Sequence, residues 1–380
     1  MPATDRRAPG AVTVIVPGDL ETRTGGYGYD RRVISGLRAI GWTVRLVRLD
    51  DTFPWPTAAT RAEAAAALES ISDGDLTLID GLALGALPEE VIAHASRLRI
   101  VALVHHPLAL ETGLSPDEAA TLEASERRAL SAARHVVVTS RATAATLSQF
   151  DVEPGRITTI EPGTDPAELA GIHRERRAAA PQDPGGEASP HLLRAPVKLL
   201  CVATITPRKG YEILLDALAS APFDKWTLRC AGSADRDDAT IARVRTRLAD
   251  PRLANRVELI GDLGPQALGA EYDRADLFVL ATLYEGYGMA VAEALARGLP
   301  VVSTSTGAIA DLVGTEAGVV VPPGDRAAFA AALTRVLVDA DLRARLAAGA
   351  RRVRDRLPTW DDAAARMADV LTRVRDTGGG

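Results

Sequence analysis

The sequence predicts a two-domain α/β protein, each domain a doubly wound parallel sheet. Three observations carry that prediction. The chain has 380 residues, more than one hydrophobic core ordinarily serves and enough for two. Short apolar runs alternate with helical patterns along most of its length, the rhythm of repeated strand-helix units. One stretch, 178–196, breaks the rhythm with four prolines and two glycines, the mark of a linker or long surface loop at a boundary. The first domain is therefore expected over residues 1–185 and the second over 195–358.

The first strand is expected at Val12–Val16, an apolar run closed by Pro17 and Gly18, as suits a strand buried on both faces. Gly25 to Gly28 interrupt the chain. After them Val33, Ile34, Leu37 and Ile40 recur at helical spacing until Gly41, which stops a helix. Further strands are expected at Val44–Leu49, Leu76–Ile79, Ile100–Val104 and His135–Thr139, with Ala-rich helical stretches between. The second series places strands at Val197–Ile205, Trp226–Ala231, Val257–Gly261, Leu277–Ala281 and Pro300–Ser303, and helices at Tyr211–Ala219 and Met289–Arg297. Trp360–Val374 reads as a last amphipathic helix, and the glycines after it as a frayed end.

Composition narrows the function. With 47% hydrophobic and 25% charged residues the chain is ordinarily globular. A formal charge of −6 disfavours nucleic acid as a partner. The two cysteines, Cys201 and Cys230, both fall in strand-like runs and read as packing residues of a reducing compartment. The apolar stretch near the N-terminus is too short for a signal sequence or a membrane span, so a cytoplasmic location is expected.

In open α/β sheets ligands bind beyond the carboxyl ends of strands, and the unusual polar residues cluster there. Arg208 and Lys209 follow the first strand of the second series and immediately precede a helix. A guanidinium fork, an ammonium and a helix N-terminus together could neutralise a diphosphate; for the pair alone a solvated basic turn is the simpler reading. The run Glu285–Val313 also joins a strand to a helix and the next strand. Glu293 lies in an apolar helix, where a carboxylate needs a partner or a polar cleft, and ribose hydroxyls would serve. Glu285, just before that helix, could accept sugar hydroxyls or simply cap the helix. Gly286, Tyr287, Gly288 and Met289 complete the turn.

In the first series, His105 and His106 close a strand before Pro107. Adjacent strand-end residues point in opposite directions, so one of the two could face a ligand, or both could be loop or core histidines making backbone bonds. Glu111 could line an acceptor or cap the following segment. Arg31, Arg32 and Arg38 share one side of the first helix, as a solvated face or a weak peripheral contact with an anionic membrane surface.

The run Glu285-Gly-Tyr-Gly-Met-Ala-Val-Ala-Glu293 resembles the E-x7-E signature of retaining glycosyltransferases, and the longer stretch to Val302 resembles the family 4 (group 1) pattern. Arg208-Lys209-Gly210, the Gly25-Gly26 turn and Glu161-Pro-Gly-Thr-Asp165 are similar to further elements of that family. The resemblance implies a GT-B fold, with two Rossmann-like domains facing across a cleft and the last helix, 360–376, crossing back to the first domain. It implies a transfer from a nucleotide-diphosphate sugar, UDP- or GDP-linked foremost, to a hydroxyl acceptor, with no bound metal and no other cofactor. Arg208 and Lys209 would hold the diphosphate, Glu285 the transferred sugar and Glu293 the ribose. Gly25, Gly26 and His105 would approach the donor from the first domain, with His106 near the reacting carbon. A nonhydrolysing nucleotide-sugar epimerase and a non-catalytic nucleotide-sugar-binding subunit share the architecture and stand as alternatives.

Overall fold

The computed structural model describes residues 10–171 and 196–377; the proline- and glycine-rich stretch up to residue 195 and the terminal glycines lie outside them. Two compact units result, one of residues 1–163 with 358–380, the other of residues 164–357.

The first unit is a six-stranded parallel sheet: β1 Ala11–Pro17, β2 Thr43–Leu49, β3 Leu76–Asp80, β4 Arg99–Val104, β5 His135–Val138 and β6 Ile157–Thr159, in the order β2-β1-β3-β4-β5-β6. Alternate residues feed opposite faces. Ile15, Ile79, Ala102 and Val136 join one buried cluster, while Val14, Leu78, Val101 and Val137 join the other. The second cluster is closed by helix Gly25–Ala39 and the helix Trp360–Asp376, so the last helix does return to the first unit. The Gly25–Gly28 run does not interrupt the chain as the sequence suggested. Thr24 caps it, its hydroxyl accepting from Tyr27 N–H, and the glycines form the helix's first turn.

The second unit carries β7 Val197–Val202, β8 Trp226–Ala231, β9 Val257–Gly261, β10 Leu277–Leu280, β11 Val301–Thr304 and β12 Gly318–Val321. Their order, β12-β11-β10-β7-β8-β9, is parallel throughout. Read from β9 it is the Rossmann order 3-2-1-4-5-6; the first sheet instead follows the flavodoxin-like order. Cys201 and Cys230 are register partners on β7 and β8, buried as free thiols.

Residues 167–171, expected in the first domain, are tied into the second unit. Arg354 donates to Ala167 O (2.8 Å), Ala170 N–H to Arg297 O (2.8 Å) and Gly171 N–H to Asp273 O (3.1 Å). β6 and β12 were not anticipated; each is a short edge strand.

The start of the return helix is pressed against Gly163, where a Cβ would stand 2.2 Å from the Trp360 backbone nitrogen. Gly155 has nothing within 4 Å of the same position. Gly163→Ala should therefore destabilise the first unit by about 1–3 kcal/mol through overpacking, while Gly155→Ala stays within about 0.5 kcal/mol of wild type. Urea unfolding of both variants checks this, and a neutral Gly163→Ala would refute the close approach.

Candidate functional site

Each sheet reverses its winding direction at one point: between β1 and β3 in the first unit, and between β7 and β10 in the second. Crevices form at such points because the flanking loops run to opposite faces. The polar residues singled out in the sequence gather at both.

In the second unit, β7 leads into the single turn Pro207–Lys209, and Gly210 links it to helix Tyr211–Ser220. Gly210 has φ +64°, and a Cβ there would lie 2.0 Å from Ala281 O, so only glycine lets this turn sit against the end of β10. Contact with the β10 loop is direct. Leu283 N–H and the Thr282 hydroxyl both donate to Arg208 O, at 2.7 and 3.1 Å, and Arg208 Nη1 donates to Tyr284 O at 3.2 Å. The Lys209 ammonium donates to Glu285 Oε1, Thr282 Oγ1 lies 3.3 Å from the same oxygen, and Arg208 Nη1 stands 3.8 Å from Oε2. Both side chains of the Lys209–Glu285 pair are largely buried, 15% and 11% exposed. Burial pushes the Glu285 carboxyl up, but Lys209 and Arg208 outweigh it and hold the group below its ordinary range. Two cations thus face one carboxylate.

Glu285 is not a helix cap. Helix Met289–Ala296 begins at Gly288, at φ +101°, without a side-chain cap. Tyr287 is buried and packs with Ala292 and Ala308, with Met289 alongside. The carbonyls of Glu285 and Gly286 run close to Gly307, within 2.7 Å of where its Cβ would be.

Glu293, two turns on, is engaged separately from the Arg208–Lys209–Glu285 cluster. Its Oε2 accepts from the Tyr272 hydroxyl at 2.9 Å. Arg297 lies over the Tyr272 ring, 4.6 Å from its centre, and donates to Glu293 O at 3.1 Å. Burial raises the Glu293 carboxyl above its ordinary range, against the Tyr272 bond and the Arg297 charge.

In the first unit the two histidines part company. His105, not His106, lies against the glycine turn; a Cβ on Gly26 would meet its Cδ2 at 3.3 Å. His105 Nε2 is 3.1 Å from Asp30 Oδ1 and 3.3 Å from Asp80 Oδ2. Burial alone would lower the imidazole, but Asp30 and Asp80 push it up to about 10. The donor atoms of the three residues lie within 4.8 Å of one another, a spacing a cation could share; with Nε2 at hydrogen-bond distance from both carboxylates, the arrangement reads as proton-linked. His106 turns to Glu111, at 3.0 Å. The turn carrying both is held from below by buried Glu126, which accepts from Leu108 N–H at 2.9 Å and is pushed up to about 8 by burial.

Arg31 donates to Thr22 O, Arg38 to Val44 O, and Arg32 lies over the Trp360 ring, so this basic side is partly spent within the first unit. Sequence reasoning did not find Asp30, Asp80, Thr282 or Tyr272. Asp80 closes an apolar strand and Asp30 shares the helix face of Val33 and Ile34; those placements were the available signals.

Two doubly wound parallel units, the second with a basic turn and a glutamate joined at its switch point, define a GT-B glycosyltransferase architecture. The chain belongs to the group 1, family 4 glycosyltransferases: residues 9–168 match the Glycosyltransferase Family 4 model and residues 196–339 the Glycosyl transferases group 1 model. It is 30% identical over 281 residues to a D-inositol 3-phosphate glycosyltransferase of Thermomonospora curvata, covering 71% of this chain and 63% of the relative. The chain spans about three fifths of the length of the curated relatives it matches. Its fold is similar to sucrose-phosphate synthase from Thermosynechococcus elongatus (TM-score 0.78, 22% identity, 97% of this chain and 100% of that one). It is also similar to Anabaena HepE in complex with UDP and glucose (TM-score 0.71, 17% identity, 96% and 99%). Among the described residues no helix is long and apolar enough to cross a membrane.

The buried pair can be tested directly. Lys209→Met leaves Glu285 with only the more distant Arg208 charge and should destabilise the second unit by about 1–3 kcal/mol, less than a wholly uncompensated buried charge. Adding Glu285→Gln should recover part of that loss. A double-mutant cycle by denaturant unfolding measures the coupling, and strictly additive effects would contradict the pairing.

Proposed function

We propose that the chain is a retaining glycosyltransferase that takes a UDP- or GDP-linked sugar and transfers it to a hydroxyl acceptor. The observation that carries this reading is the joined cluster of Arg208, Lys209 and Glu285 at the switch point of the second sheet. A guanidinium and an ammonium beside a fixed, ionised carboxylate suit an anionic leaving group on one side and sugar hydroxyls on the other.

Arg208 and Lys209 stabilise charge as it develops on the departing diphosphate, where a preorganised donor contributes most. Glu285, kept ionised by Lys209, accepts hydroxyls of the transferred sugar. Glu293, oriented by Tyr272, takes the ribose. In the first unit Gly25, Gly26 and His105 serve the donor side. The acceptor oxygen forms its bond to the anomeric carbon as the bond to the phosphate oxygen breaks, and the acceptor proton passes to that phosphate oxygen. The protein supplies position and electrostatics, with no enzyme nucleophile required.

UDP leads the donor candidates because a protein of the same fold is held in complex with UDP and glucose. D-inositol 3-phosphate leads the acceptors because the matched relatives are named for it. Thermal-shift screening against UDP-, GDP-, ADP- and dTDP-sugars should single out one donor series, with stabilisation of about 2.7 kcal/mol at a hundredfold excess over Kd. Lys209→Ala and Glu285→Ala should each lower turnover by about a hundredfold or more, read as product formed with the stabilising donor. Full turnover in both variants would remove the assignment.

A further inference from the structure

The Asp30–His105–Asp80 arrangement is not used by the mechanism above, which asks of His105 only that it be present. Its geometry says more. Both carboxylates are almost fully buried, at 2% and 3% exposed, and both address the same ring atom, Nε2. Asp80 is fixed for this purpose because its other oxygen, Oδ1, accepts from Leu82 N–H at 2.8 Å. Asp30 Oδ2 has no hydrogen-bond partner among the described residues although it is buried, so His105 is the main compensation for its charge. The ring is held sideways by Gly26 and by the edge-on ring of Tyr29, 5.4 Å away, and from its backbone by the Thr139 hydroxyl, which donates to His105 O at 3.3 Å.

An unprotonated Nε2 would aim its lone pair at two carboxylates, and a neutral ring protonated there would leave two buried negative charges uncompensated. With both carboxylates ionised, a doubly protonated ring satisfies both conditions. Among the described residues Nδ1 has no hydrogen-bond partner, while the side chain is 21% exposed. The second proton therefore sits on the atom left for a ligand.

We propose that Asp30 and Asp80 are positioning residues that clamp His105 as an imidazolium, so that His105 acts through Nδ1–H as a cationic donor to a substrate oxygen and not as a general base. The charged surroundings agree. Tyr29, Asp30 and Arg31 face the cluster from one helix, Asp80 from β3, and Arg366 acts on Tyr29 from the return helix; the two carboxylates dominate and push His105 up to about 10. Burial raises Asp30 itself to about 6, with His105 opposing and Asp80 adding to the rise. Near neutral pH the cation is thus retained. A general base would need a free lone pair and a value close to working pH.

The identity of the substrate oxygen rests on the glycosyltransferase reading; the clamp does not. The full chain, labelled on its six histidines, is titrated by imidazole NMR from about pH 5 to 10 without ligand, with His105→Gln assigning the signal. His105 should stay doubly protonated past pH 8. Asp80→Asn should lower its midpoint by about 1–3 pH units, the span of one close opposite charge. A wild-type midpoint near the ordinary value of about 6.5, or one that Asp80→Asn leaves unmoved, overturns the clamp. The wild-type titration decides even if a buried variant fails to fold. In transfer assays with the stabilising donor, kcat should show no acid limb assignable to His105 between about pH 5.5 and 7.5, and His105→Gln, which keeps a donor, should outperform His105→Ala; an acid limb that vanishes in His105→Gln would establish a base instead. A chain that transfers no sugar yet shows the raised midpoint would defeat the function while leaving the clamp standing.

Discussion

The second unit is organised around a buried lysine–glutamate contact. Lys209 and Glu285 come from loops 76 positions apart, and each is held where the other needs it. The lysine turn leans on the β10 loop through Gly210, which admits no Cβ, and through the bonds that Leu283 and Thr282 give to Arg208 O. Burying charge without compensation is expensive, so the pair is a constraint on the fold as well as a chemical feature. The turn cannot drift from the β10 loop without stranding a carboxylate. Such mutual constraint is what a site needs if donors are to be in place before charge develops on a substrate.

The first unit solves a parallel problem with opposite signs. There two carboxylates converge on one imidazole, again at the switch point of a parallel sheet, with contributions from the helix after β1 and the ends of β3 and β4. In each unit a minority charge sits among opposite ones and its protonation state is thereby fixed. Glu285 is held ionised by cations and His105 is held protonated by anions. The electrostatics of both places are set by packing, before any ligand arrives.

The fold was largely legible because parallel strands buried on both faces write themselves as short apolar runs, and turns after them carry glycine and proline. Ten strands were readable that way. β6 is the three-residue, half-exposed run Ile157–Thr159, and β12 is a four-residue run cut off by Pro322 and Pro323; runs this short carry little periodicity. Arg208, Lys209 and Glu285 were legible because charged residues next to glycine at strand ends are conspicuous. Asp30 and Asp80 were not, since their meaning depends on a histidine 75 and 25 positions away. The different partners of His105 and His106 were hidden for a related reason. Alternation at a strand end says that two neighbours point apart, but which one meets the glycine turn is set by tertiary placement.

In the function proposed above, Arg208, Lys209 and Glu285 form the seat of a nucleotide-diphosphate sugar. A crystal structure of the chain with its stabilising nucleoside diphosphate tests that most directly. Phosphate oxygens within hydrogen-bond distance of Arg208 and Lys209, with the ribose at Glu293, are the predicted result. A nucleotide bound elsewhere, with the Lys209–Glu285 contact untouched and no phosphate beside Arg208, would contradict it.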